Sequence, residues 1–129
     1  RPEMTETPYP TRIEDGSPDL HDMEGAPGMT YRLLIDSTKV PSASLCHGIF
    51  YMEPEAEEAS HTHDVSETIY VLSGRGYVRL DDDKVTLAPG DMVYIPPGTA
   101  HGFYAEDEMQ VHFTFPVDCF DDVAYHDAT

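Results

Sequence analysis

The stretch from Thr30 to Phe115 is cut into short β-rich runs by Gly, Pro and Asp clusters, and that punctuation constrains the fold more than any other feature. Tyr31–Asp36, Leu45–Met52, Glu67–Leu72, Gly76–Leu80, Val85–Leu87, Met92–Ile95, His101–Tyr104 and Met109–Phe115 all read as strands. Strands at about ten-residue spacing, with turn residues between them, point to an all-β sandwich or barrel rather than βαβ units. No stretch carries a helical stripe; the acid-rich Glu53–Ser60 has room for one turn at most. Residues 1–29 are rich in proline and acids, lack either period, and are expected to form an irregular acidic N-terminal arm. Residues 30–117 then form the barrel and 118–129 a C-terminal tail.

Charge narrows the function. The 129 residues carry 25 Asp and Glu against seven Lys and Arg, a net charge of −18. Such a surface repels phosphates, so neither nucleic acid nor an anionic membrane is an expected partner. A saline source would screen the self-repulsion. No apolar run approaches the roughly 20 residues a membrane helix needs. No basic-then-apolar N-terminus suggests a signal peptide. With two cysteines, Cys46 and Cys119, read as small buried hydrophobes, the expected setting is reducing and cytoplasmic.

Chemistry concentrates in the histidines, of which the chain has seven. In an extended strand, residues two apart share a face, so His61 and His63 aim two imidazoles at one point. Glu67 keeps that parity if the intervening turn does not flip it. His101 arrives on another strand after the turn Pro96-Pro97-Gly98. Three imidazoles and a carboxylate suit Fe, Mn, Ni, Cu or Zn. His21, His47 and His126 stand outside this pattern.

These residues form two blocks, His61-x-His63-x3-Glu67-x6-Gly74 and Gly90-x5-Pro96-x-Gly98-x2-His101. The blocks resemble the two cupin motifs, and the resemblance extends over about residues 30–117. It implies a single small antiparallel jelly-roll β-barrel. One divalent metal ion would lie inside, held by His61, His63, Glu67 and His101. The chain departs from the family at Glu55, where a glycine is usual, and at Ala105, where asparagine is common. Neither position binds metal in the family.

Parity extends the reading to the rest of the pocket. Ile69, Val71, Phe103 and Phe113 are expected to line it. On the last strand Val111, Phe113 and Phe115 form the likelier inner set, while His112 lies at the surface or remains a pocket acid–base group. Tyr51, ending the strand that feeds the metal motif, is the other candidate catalytic residue. Sulfoniopropionate lyases of this family place a tyrosine where Ile69 stands, which counts against that activity. Arg32 and Arg79 are either carboxylate anchors or solvated strand residues.

The resemblance implies a metal-dependent enzyme acting on a small neutral, zwitterionic or phenolic molecule. Dioxygenase or cyclase chemistry is favoured by the apolar inner face. The alternatives are a non-catalytic ligand-binding or sensor module, a zinc lyase or isomerase, and a zinc-stapled structural barrel. Single-domain cupins commonly pair, so a homodimer is expected, with the arm suited to crossing its interface.

Overall fold

A computed structural model describes residues 7–14 and 19–129. It contains eleven short strands in chain order: β1 Leu20–Asp22, β2 Met29–Ile35, β3 Cys46–Met52, β4 His61–Thr62, β5 Glu67–Ser73, β6 Gly76–Leu80, β7 Asp83–Leu87, β8 Met92–Ile95, β9 His101–Ala105, β10 Met109–Phe115 and β11 His126–Asp127. They build two antiparallel sheets, ordered β1-β2-β3-β10-β5-β8 and β11-β4-β9-β6-β7. The two antiparallel sheets agree with the jelly-roll that the resemblance implies. A single 3₁₀ turn at Phe120–Asp122 is the helical content among the described residues, and no helix is long and apolar enough to cross a membrane.

Alternation builds the core. On β3, Cys46, Gly48, Phe50 and Met52 face inward and are buried; on β10, Met109, Val111, Phe113 and Phe115 do the same. The register holds these two faces side by side, pairing Phe113 with Gly48 and Phe115 with Cys46. Gly48 is obligatory there, because a Cβ would collide with the Phe113 ring and the Arg32 carbonyl. Phe113 then stacks on Phe50 at 4.3 Å between centroids.

The segment Glu53–Ser60 holds a turn but no helix. After a turn closed by Ala56 N–H donating to the Glu53 carbonyl, it runs beside β9. Glu55 N–H donates to Ala105 O at 2.7 Å, and Glu58 N–H to Phe103 O at 2.8 Å. Here Ala56 and Glu58 turn inward while Glu57 stays exposed. Glu55, at the family's usual glycine position, adopts φ of +71°. The backbone keeps the left-handed turn and the side chain bears its strain.

Described residues of both the expected arm and the expected tail contribute to the body. In the expected arm, β1 pairs with β2 and Ala26 is buried. In the expected tail, β11 pairs with β4, His126 opposite Thr62 and Asp127 opposite His61. The anchor for the tail is Asp36, fully buried after β2. Its carboxylate accepts from Phe120 N–H at 2.6 Å, Thr38 N–H at 3.1 Å, and the thiols of Cys46 at 3.4 Å and Cys119 at 3.7 Å. Burial, then Asp36, push the Cys46 thiol far above its ordinary pKa, so it acts as a donor rather than a nucleophile.

Two outcomes follow for stability. Asp36→Ala leaves buried donors without an acceptor and is expected to cost about 3 kcal/mol in urea unfolding. Glu55→Gly relieves the left-handed strain, partly offset by chain entropy, and is expected to gain up to about 1 kcal/mol, whereas Glu55→Ala gains nothing.

Candidate metal centre

Each element delivers one piece of the centre. β4 pairs with β9 so that His61 lies opposite His101. Past β4, His63 is held by its own carbonyl, which accepts from Gly98 N–H at 2.9 Å and ties it to the turn before β9. Glu67 opens β5 with its side chain inward, in phase with Ile69 and Val71. All four side chains are buried.

The imidazoles are oriented by backbone carbonyls. His61 Nδ1 lies 2.9 Å from Ala59 O, His63 Nδ1 2.8 Å from Ala124 O, and His101 Nδ1 2.9 Å from Thr99 O. A carbonyl only accepts, so each Nδ1 carries the proton and each Nε2 presents a lone pair. The ligand nitrogens of His61, His63 and His101 lie within 4.8 Å of one another, and the three residues could hold a metal ion.

The carboxylate completes an electron-rich cluster. Glu67 Oε1 is 3.3 Å from His63 Nε2 and 3.2 Å from His101 Nε2. All three atoms are buried without a hydrogen bond. Burial lowers His61 to about 4, which keeps it neutral near pH 7. A cation between these facing lone pairs would satisfy them. The donor set fits a first-row divalent ion.

Three neighbours escaped sequence reasoning. Ala124 supplies the carbonyl that orients His63. The Tyr125 ring stacks on His61 at 4.9 Å and meets His63 edge-on at 4.5 Å. Packing around the ring, then Glu67 and Glu58, raise its hydroxyl above the ordinary tyrosine pKa, although the residue as a whole is 37% exposed. Glu58 is 7% exposed, with Oε1 3.9 Å from His61 Nε2. Burial, then the Glu67 charge, raise its carboxyl well above the usual range. Period-2 parity from Ala56 would have turned Glu58 inward, had the segment been read as extended.

Other expected site residues lie elsewhere. Ile69, Val71, Phe103 and Phe113 point inward but are packed into the core, and none borders the cavities beside Tyr125. Tyr51 sits on the outer face of β3, its ring 5.7 Å from the Arg32 guanidinium carbon. His112 is on the outer face of β10, its Nε2 3.0 Å from His47 Nδ1. Alternation places both on the outer faces of their strands, away from the histidine cluster, which for His112 is the surface placement expected of it. Arg79 pairs with Glu57 at 2.9 Å near the surface.

Metal-free protein is expected to lose stability as pH falls from about 6.5 toward 4. Unfolded, His61 takes a proton near 6.5; folded, only near 4. At His61 the unfolded chain holds more protons in that window, so acid favours unfolding there, while the raised Glu58 carboxyl works in the opposite sense. His47 and His112, also lowered by burial, add to the effect. Urea midpoints at pH 7 and 4.5 measure it, and a smaller difference in His61→Gln isolates the His61 share. Deleting residues 124–129 frees the His63 ring and uncovers His61. Metal affinity is then expected to fall about 10- to 100-fold in chelator competition.

Comparison with known proteins agrees with this geometry. A family model described as Cupin domain matches residues 48–117. An uncharacterised protein of Methanocaldococcus jannaschii is 50% identical over 42 residues, 32% of this chain and 34% of that protein. An acireductone dioxygenase of Trichodesmium erythraeum is 41% identical over 56 residues, 40% of this chain and 31% of that protein. The chain thus spans about a third of the length of these two relatives. Among solved structures, the polyketide cyclase RemF from Streptomyces resistomycificus superposes with a TM-score of 0.79 at 24% identity, over 94% of this chain and 87% of that one. That likeness concerns the fold. Because the family model covers more than half of the sequence, the chain belongs to the cupin domain family.

Proposed function

We propose that this chain is a metal-dependent cupin enzyme acting on a small organic molecule, with dioxygenase- or cyclase-like chemistry. One observation carries the reading. His63 Nε2, His101 Nε2 and Glu67 Oε1 converge, buried and without hydrogen bonds, beside a neutral His61. Glu67 serves as the fourth protein ligand in this reading, after His61, His63 and His101. The fold likeness to a polyketide cyclase and the partial match to a dioxygenase support the two chemistries named.

A divalent ion bound there supplies Lewis acidity or redox capacity. The chain's own residues do the rest. The carbonyls of Ala59, Thr99 and Ala124 hold the three rings in one tautomer. Tyr125 covers one flank of His61. A cavity of about 330 Å³ reaches His61, Glu58 and Tyr125 and gives a small molecule access. Its rim carries Glu24 and Asp127, which supports a neutral, zwitterionic or phenolic substrate over an anionic one. The outer face of the six-stranded sheet exposes Leu72, Met92 and Tyr94, which supports pairing with a second copy.

Elemental analysis of protein purified without a metal-affinity tag is expected to find about one equivalent of a first-row metal per chain, absent in His61→Ala. Oxygen consumption or product formation with phenolic and polyketide-like substrates is expected to fall at least 100-fold in the variant. Metal without turnover on any substrate would favour a binding or sensor module. No metal, even after reconstitution, would overturn the reading.

A further inference from the structure

Glu58 is more deeply buried than an idle carboxyl of this acidic chain needs to be. It is 7% exposed on a segment whose neighbours Glu57 and Ala59 face solvent. Its backbone explains the direction. Glu58 N–H donates to Phe103 O, which, with an isolated bridge between Glu57 and Tyr104, holds the segment extended along β9. The inward phase that buries Ala56 then buries Glu58 two residues later.

Once inside, the carboxyl has no hydrogen-bond partner among the described residues. Its recorded polar neighbour is His61 Nε2 at 3.9 Å, beyond hydrogen-bond reach. Its oxygens are not sealed from the adjoining cavity, so they can take a hydrogen bond from a molecule bound there. The group borders the cavity of about 330 Å³ that also exposes His61 and the Tyr125 ring. Among the described residues no Lys or Arg lines that cavity, while Glu24 and Asp127 do. Asp127 is held below the ordinary aspartate range by Thr129, so its charge persists.

We infer that Glu58 contacts substrate and sets specificity. Its carboxyl accepts a hydrogen bond from a hydroxyl that flanks the oxygen aimed at the histidine cluster. The inference rests on the reading above, in which that cluster is the reaction centre. The separation from His61 Nε2 fits one molecule that addresses both groups through adjacent atoms. The substrate class is therefore a neutral molecule with two neighbouring oxygen functions, at least one a hydroxyl, as in an ortho-diphenol or a hydroxy ketone. The Tyr125 ring and Met23 at the cavity wall favour a flat, weakly polar body for it. Carboxylates are excluded twice, by the acidic rim and by the absence of a cation to receive them.

Calorimetric titration of the full-length, metal-loaded protein tests this with three probes of similar size. Catechol carries the paired hydroxyls, veratrole lacks the donor, and salicylate carries the charge. Wild-type protein is expected to bind catechol at least tenfold tighter than either of the others. Glu58→Leu is expected to erase the preference over veratrole while metal content stays at the wild-type level. Glu58→Gln keeps an acceptor oxygen and is expected to retain catechol binding within about threefold.

Equal binding of catechol and veratrole by wild-type protein would overturn the inference, as would unchanged catechol affinity in Glu58→Leu. Loss of metal in both Glu58 variants would also overturn it, by making Glu58 a ligand. The two readings separate cleanly. Metal bound without a Glu58-dependent preference sinks this inference alone. A Glu58-dependent preference in wild-type protein that takes up no metal sinks the metal reading alone.

Discussion

The histidine cluster depends on an interaction made on its outer side. Each imidazole donates Nδ1–H to a backbone carbonyl, and that bond decides the tautomer and the ring plane at once. Two of those carbonyls, Ala59 and Thr99, stand two residues before the histidine they orient, so local chain direction provides them. The third, Ala124, is distant in sequence and is held in place by tertiary structure. The inward lone pairs are thus a consequence of backbone geometry. The charge of Glu67 is added to a cluster already facing the right way.

Securing Ala124 engages a second buried polar centre. Asp36 gathers Phe120 N–H and both thiols, while Ser37 N–H and Ser42 Oγ–H donate to the Asp118 carbonyl. This pins the chain after β10 against the start of β3. From there β11 lies along β4, and Ala128 N–H donates to Ser60 O. Tyr125 reaches His61 as part of the same course. The two cysteines, far apart in sequence, belong to this anchor.

Much of the architecture was legible because period-2 alternation and turn residues mark strands strongly. Val111, Phe113 and Phe115 were read as an inner face and are fully buried. His61, His63 and His101 were read as converging and do. The limits were equally physical. Tyr51 and His112 drew attention by residue type, yet on β3 and β10 the inward phase belongs to Phe50 and Phe113. Glu58 was hidden because an acid-rich stretch resembles a solvated loop; only its hydrogen bond to Phe103 reveals that the segment runs extended beside β9. Ala124 acts through its carbonyl, which no side-chain pattern can signal. The two-residue strands β4 and β11 are too short to show a period.

The position of Ala124 has a consequence for how the centre is assembled during synthesis. A chain emerging from the ribosome presents His61, His63, Glu67 and His101 in that order, all before residue 124. Throughout that interval the His63 ring lacks the carbonyl that fixes its tautomer, and His61 lacks the Tyr125 ring that covers it. A metal ion held by these residues would therefore meet its finished surroundings only after β11 docks on β4, a segment that contributes no side-chain ligand to the cluster.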